Sequence, residues 1–388
     1  MSRWSDNLGD VPARRGSLLG VGKGVNVHQS HTRLGTGTCV QFAWTDGKDA
    51  TKPSRENESD LNEDYAMNIW AMCIKPNCEP EYAAFEWCRK NNYVGIAWAL
   101  NPDTETEKDP LDMYRRTYPG KRLSGAFKSF AKDMQPGDFA FLQKAGQSWC
   151  CKILDDWNAF KLPEKSLLNG LQLGSLRGAK WIEVSPLMVP GDVRRAHIRG
   201  GACRRVRHPD RISGYVNSLY DYCAVSGPLV LAVPSVCNND LLVGRLDKIE
   251  ASALFALADW DETEDIVCTY LQSKGWRLQK SFASRSLAKI ESVFLKAEQG
   301  ALSVATVQVK SGEHESIDVS SFLNLSEEYS KIYLFSTAST PYTNRPSGDQ
   351  ANRFELLEQS DIFDHFRRNA LELPRSLQMK LMFSSGWH

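Results

Sequence analysis

Near the C-terminal end, the stretch SVATVQVKSG (303–312) sets a glutamine and a lysine two residues apart inside an apolar, β-branched run. In an extended strand successive side chains alternate, so Val307 and Val309 share one face while Gln308 and Lys310 point together to the other. The preceding run, LAKIESVFLKA (287–297), carries Glu291 and is joined to this one through EQG. With a two-residue turn at Gln299–Gly300, Glu291 lies across the ladder from Gln308; a slip of one residue would turn it away. A carboxylate, an amide oxygen and an ammonium then converge on one patch. Upstream, Glu264 shares a helical face with Val267, Cys268 and Leu271, which turns it toward the sheet as a second carboxylate.

Carboxylate and amide oxygens are hard ligands suited to Mg²⁺. Held by Glu291, Gln308 and Glu264, such an ion would polarise a phosphodiester and lower the pKa of a bound water. Lys310 would orient that water or offset charge on phosphorus. Each residue also has a plainer use. Glu264 stands where a helix cap belongs, and Gln308 and Lys310 are also compatible with solvated positions on an edge strand.

The elements around these residues follow from periodicity. Asp261 and Glu264 have capping-box spacing before an apolar helix that ends at Gly275. Strands are expected at 276–282, 287–297, 302–310 and 331–337, with a closing helix over 353–370. Residues 259–388 thus read as an α/β domain with a mixed central sheet. Between 67 and 236 the pattern is one of short strands, at 67–74, 91–100, 134–143, 149–157 and 179–187. A helix over 123–134 places Phe127 and Phe130 on one face, and the whole reads as an α+β domain built on a small β-barrel. Helical periodicity over 242–259 makes 237–258 a helical linker between two domains. Residues 1–66 are polar and glycine-rich, and disorder is the expectation there.

Composition narrows the class. The 388 residues carry 47 Lys plus Arg and 47 Asp plus Glu, so the overall charge points to no polyanionic partner. Ten cysteines occur without a Cys-x-x-Cys pair, which suits free thiols in a reducing cytoplasm. No apolar run approaches the length of a membrane span, and GSLLGVGKGVNV is too short and glycine-rich for a signal peptide. A cytoplasmic location is expected. The charge is instead local. GDVRRAHIRGGACRRVRHPDR (191–211) holds seven arginines and two histidines against two aspartates. Arg194, Arg195, Arg199, Arg204, Arg205 and Arg207 are candidate contacts to nucleic-acid phosphates, with His197 and His208 beside them. A solvated basic face is the other reading.

Two resemblances join these readings. The series TEDIVCTYLQSKGWRLQKS…AKIESVFL…VATVQVKSG, over roughly 259–340, resembles the PD-(D/E)xK nuclease superfamily, and most its Mrr-like restriction endonuclease branch. The resemblance implies a restriction-endonuclease-like fold, Glu291 as the first motif acid, Gln308-Val309-Lys310 as the second motif, Glu264 as the helix acid, and Mg²⁺ or Mn²⁺ as cofactor. Glu replaces the commoner Asp in the first motif, and Gln replaces the acid of the second, so less charge is left to hold metal. The series MNIWAMCI…NNYVGIAWAL…LSGAFKSFAKDMQPGDFAFLQK…AKWIEV, over about 67–210, resembles the EVE domains of the PUA-like superfamily. That implies a pocket for a base flipped out of the duplex and stacked between aromatic rings. Trp98 is the first candidate, with Trp70 and Trp149 behind it; each also fits a core position. Together they imply a modification-dependent restriction endonuclease acting on double-stranded DNA. With one candidate site per chain and two strands to cut, a homodimer or higher homo-oligomer is expected. A non-catalytic nucleic-acid reader and an RNA-directed enzyme are the alternatives.

Overall fold

Strand β1 (Ile69–Met72) is buried at every position because it has a core on each face. Ile69 and Ala71 enter one core, while Trp70 and Met72 enter the other. The computed structural model describes residues 67–74, 82–98, 109–144, 146–157, 170–171, 173–199, 201–227, 238–279, 292–298, 300–312 and 314–383. All of them belong to one unit, Glu63–His388. The expectation for residues 1–66 lies outside the described residues.

After β1 come α1 (Ala83–Lys90), β2 (Tyr93–Ile96), α2 (Pro110–Thr117) and α3 (Gly125–Lys128). The helix expected over 123–134 widens after α3 into a π-helical turn at Ser129–Asp133. Buried Arg177 supports that turn, its Nε donating to the Phe130 carbonyl at 2.8 Å and its Nη2 to the Ala131 carbonyl at 3.1 Å. Strands β3 (Phe139–Lys144), β4 (Gln147–Ile153) and β5 (Ser175–Val184) follow, then α4 (Gly191–Ile198), β6 (Cys203–Arg205) and α5 (Ser213–Ser226). The sheet order is β2-β5-β4-β3-β1-β6, with β1 parallel to β3 and the other pairs antiparallel. Among the described residues no pairing of β2 with β6 closes it into the expected barrel.

The stretch 242–259 forms two helices rather than one. They are α6 (Asn239–Leu246) and α7 (Ala251–Leu257), and Ala253 to Ala258 are all buried. The core on the Ile69 face of the first sheet runs without a break through α5, α6 and α7. It continues to α8 (Trp260–Ser273) and to Val307 and Val309. The segment read as a linker is therefore packed into a core shared by both sheets.

Beyond α8 lie β7 (Arg277–Leu278), β8 (Ser292–Glu298), β9 (Ala301–Lys310) and β10 (Ile317–Asp318). A 3-10 segment (Val319–Glu327) leads to β11 (Lys331–Ser336) and β12 (Tyr342–Thr343). The chain then forms β13 (Phe354–Leu357), α9 (Gln359–Arg368) and α10 (Arg375–Met382). The second sheet is ordered β13-β11-β9-β8-β7; β9, β11 and β13 run parallel, and β7, β8 and β9 antiparallel. The result is a mixed sheet in an α/β arrangement. The helix expected over 353–370 begins as a strand, because Phe354 and Leu356 pack into the core under the 3-10 segment. Helix α9 starts only at Gln359. The capping box also falls two residues earlier than expected. Asp259 accepts from the Glu262 N–H at 2.9 Å and Glu262 accepts from the Asp259 N–H at 2.8 Å, in place of the Asp261–Glu264 pair.

Candidate nucleic-acid site

The β8–β9 hairpin pairs Glu298 with Ala301 and Ser292 with Val307. That is the register a two-residue turn requires, and Gly300 takes the left-handed conformation (φ +80°) that such a turn needs. Glu291, the next residue of the sequence before Ser292, lies outside the described residues. On its other side β9 pairs with β11, matching Gln308 to Leu334 and Lys310 to Ser336. Strand β9 is thus interior, and solvated edge positions are not what the strand offers. Gln308 is 4% exposed, and its Nε2 donates to the Val309 carbonyl at 3.2 Å. Lys310 is half-buried at the carboxyl end of the strand.

The two faces of this sheet are distinct. Val293 and Ile332, cross-strand neighbours of Thr306, and Leu334, the neighbour of Gln308, belong to the core under the 3-10 segment. Val307 and Val309 belong to the other core, and helix α8 packs there through Ile266, Val267 and Leu271. The half-buried Glu264 stands on that helix, which is on the opposite face from Gln308 and Lys310. Among the described residues no group of three or more His, Cys, Asp or Glu is arranged to hold a metal ion. Glu291 is not among those residues.

The basic stretch divides into structural and exposed arginines. Arg195 is 9% exposed; its guanidinium donates to the Ala258 carbonyl at 2.9 Å, the Phe255 carbonyl at 2.8 Å and Asp192 at 2.9 Å. These carbonyls belong to the end of α7, where no intrahelical donor remains. Arg194 pairs with Asp259 at 2.6 Å and also donates to the Pro186 carbonyl. The backbone at Gly191 comes so close that an added Cβ would stand 1.8 Å from the Ala258 oxygen. Arg194 and Arg195 thus clamp α4 onto the α7–α8 junction, where their guanidiniums are engaged by the protein itself. His197 lies beside them on α4. Its Nε2 is shielded without a hydrogen-bond partner, and burial lowers its pKa to about 4, so it is neutral near pH 7.

Arg199, Arg204, Arg205 and Arg207 are exposed. Together with Arg211 and His208 they line a cleft of about 430 Å³, whose other wall includes Gly312 and Thr337. Those two residues follow the carboxyl ends of β9 and β11. The Gly312 N–H donates to Thr337 Oγ1 at 2.7 Å, and the Thr337 N–H donates to the Lys310 carbonyl at 3.0 Å. Gly312 has φ +147°, and a Cβ placed on it would lie 3.5 Å from Arg199 Nη2. Arg207 Nη1 and His314 Nδ1 are 3.3 Å apart. Two motifs about a hundred residues apart in sequence therefore meet at one cleft. Gly312, not the Lys310 side chain, forms its wall.

The three tryptophans separate by burial. Trp70 is fully buried and its Nε1 donates to Asp138 at 2.8 Å; Trp149 is 5% exposed and packs 4.7 Å from Phe85. Both are core residues, and neither ring is open to a base. Trp98 is half-buried, with φ +88°, and stands edge-on to Tyr114 at 6.0 Å and Tyr118 at 6.3 Å. A bulky residue in that backbone region is strained and persists only where its surroundings hold it. Ser175 Oγ contributes by donating to the Trp98 carbonyl at 3.1 Å. Tyr114 and Tyr118 were not singled out from sequence, although their spacing of four on a helix that Asp109 caps was the available signal.

No protein-family model matches the chain, and no curated protein matches it. A solved structure, the DNA modification-dependent restriction endonuclease AspBHI, is similar at 11% identity with a TM-score of 0.24. The match covers 64% of this chain and 68% of that one. Similarity at that level leaves the functional reading to the geometry above. Among the described residues no helix is long and apolar enough to cross a membrane.

Proposed function

We propose that this chain is a modification-dependent endonuclease. It binds double-stranded DNA through exposed arginines and hydrolyses the backbone at the Gln308-x-Lys310 strand with Mg²⁺ or Mn²⁺. A modified, flipped base would be read at Trp98, and a second copy of the chain would cut the second strand. The observation that carries this reading is the meeting of the arginine cleft with the carboxyl ends of β9 and β11 at Gly312 and Thr337. Ligands of open α/β sheets are taken at such strand ends. Lys310, at the end of an interior strand, supplies a cation to offset phosphate charge. The metal part of the proposal rests on Glu291.

A second reading has an observation of its own. The Gln308 amide is buried and bonded to Val309, and among the described residues no group of three or more His, Cys, Asp or Glu is arranged to hold a metal ion. A reader that binds DNA without cutting it would look the same. Purified wild type and Lys310→Ala should be compared with Mg²⁺ on cytosine-modified and unmodified DNA. Cleavage of modified DNA alone, abolished by the substitution, is the expected result. Binding by both proteins with no cleavage by either would leave the reader.

A further inference from the structure

We propose that the interior of the arginine cleft is a seat for a phosphomonoester or polyphosphate group carried by a single nucleotide, either free or at the phosphorylated end of a strand. The site does not depend on the cleavage reading, because the Lys310 side chain is not part of its wall.

Charge is the first ground. Asp192 is the one acid among the described residues lining the cleft, and it is already engaged by Arg195 at 2.9 Å. Arg199, Arg204, Arg205 and Arg211 outnumber the acids near them, which are Asp192 in the lining and Glu315, whose Cγ would stand 3.0 Å from a Cβ on Gly312. Concentrated positive charge in a concave site raises the local concentration of anions. An internal phosphodiester brings a single charge, whereas a phosphomonoester brings about 1.5 to 2 negative charges at neutral pH. The monoester also has a third unesterified oxygen for paired guanidinium bonds.

Shape is the second ground. At about 430 Å³ the cavity has the size of a pocket for a small ligand. A duplex groove, about 12 Å wide, receives a protruding protein element such as a helix. Here the protein is concave, so the ligand must protrude. A strand end or a free nucleotide enters the interior, whereas the continuous backbone of a duplex crosses only the mouth, where the exposed arginines meet it. Hydrolysis of a phosphodiester by water breaks a P–O bond and leaves one phosphomonoester end and one hydroxyl end. Such an end is what this cleft fits.

The third ground is construction. Arg199, Arg204 and Arg205 come from the α4–β6 segment, whose placement is set by buried Arg195 on the end of α7, and Arg211 comes from the 3-10 turn Pro209–Arg211 that follows. The opposite wall is fixed by the Gly312–Thr337 hydrogen bond at 2.7 Å. The cavity is therefore held from both sides by polar contacts independent of any ligand.

The test is equilibrium binding by the full chain of a short fluorescent single strand bearing a 5′-phosphate, against the same strand ending in a 5′-hydroxyl. Charge-assisted hydrogen bonds of this kind predict a preference of at least about tenfold for the phosphorylated strand. Arg204→Gln combined with Arg211→Gln should abolish the preference while keeping the wild-type urea midpoint, and Lys310→Ala should keep it. AMP and ADP are then added as competitors. Displacement by them shows that free nucleotides share the seat, and resistance to them assigns it to strand ends. Equal affinity for the two strands would overturn the proposal. So would displacement by inorganic phosphate as effective as by AMP, which would mark an adventitious ion only.

Discussion

The Lys380 ammonium lies 2.6 Å from the Glu262 carboxylate and 2.9 Å from the Leu257 carbonyl, with no exposed surface of its own. Burial pulls its pKa below the ordinary lysine value, while Glu262 acts in the opposite direction. The pair closes a polar seam at the α7–α8 junction that also takes in Asp259, Arg194 and Arg195. Removing one partner strands a buried charge, so Lys380→Ala should cost about 3 to 5 kcal/mol in urea denaturation. Lys380→Met with Glu262→Gln should recover most of that loss. A single variant no less stable than the double would refute the role assigned to the pair.

Arginines a few residues apart should behave as different classes. Arg195→Ala leaves the Phe255 and Ala258 carbonyls without their donor and should lose about 2 to 4 kcal/mol of stability. Arg204→Ala and Arg205→Ala should stay within about 0.5 kcal/mol of wild type. Each should instead reduce the salt slope of DNA binding by about one. Denaturation and binding at several salt concentrations separate the two effects. Wild-type stability in Arg195→Ala would count against the clamp.

His197 makes stability depend on pH. Its folded pKa of about 4 is below the ordinary histidine value of 6.5, so between those limits the unfolded chain binds the extra proton. The contribution is complete above pH 6.5 and is lost as pH falls toward 4. The urea midpoint should therefore drop across that window, and the drop should be smaller in His197→Gln. The same slope in both proteins would show that other groups cause it.

Trp70 and Trp98 should also part company. Trp70→Ala empties a fully buried site and should cost about 3 to 5 kcal/mol. Trp98→Ala removes a half-buried ring from a strained backbone and should disturb folding far less. Under the proposed function it should lower affinity for modified DNA by the roughly 1 to 3 kcal/mol of one stacked base. Unchanged preference for modified over unmodified DNA in Trp98→Ala would move base reading elsewhere.

Local physics makes several elements legible in the amino-acid sequence. Strand alternation puts Gln308 and Lys310 on one face, and the two-residue turn at Gly300 sets the β8–β9 register. Both depend only on neighbours within a few residues. Where a local pattern has two solutions, tertiary contacts select the one that local pattern does not favour. The run RFELL fits a helix by composition, but β11 offers it a pairing edge. Two pairs of acids at capping distance stand in a row, and the pair used is the one that meets Arg194 and Lys380.

The sequence by itself determined the β8–β9 hairpin and the helix before it, where positive charge is concentrated, and that Gln308 and Lys310 lie on one side of a strand. Only the tertiary structure decided which arginines are committed and which are open. Arg194 and Arg195 bond groups some sixty residues away, and nothing in their own segment marks that. It also decided that α8 and the Gln308 face lie on opposite sides of the sheet, and that the basic segment ends beside Gly312. Periodicity specifies which way a side chain points relative to its own backbone. What it points at depends on which distant element buries that face.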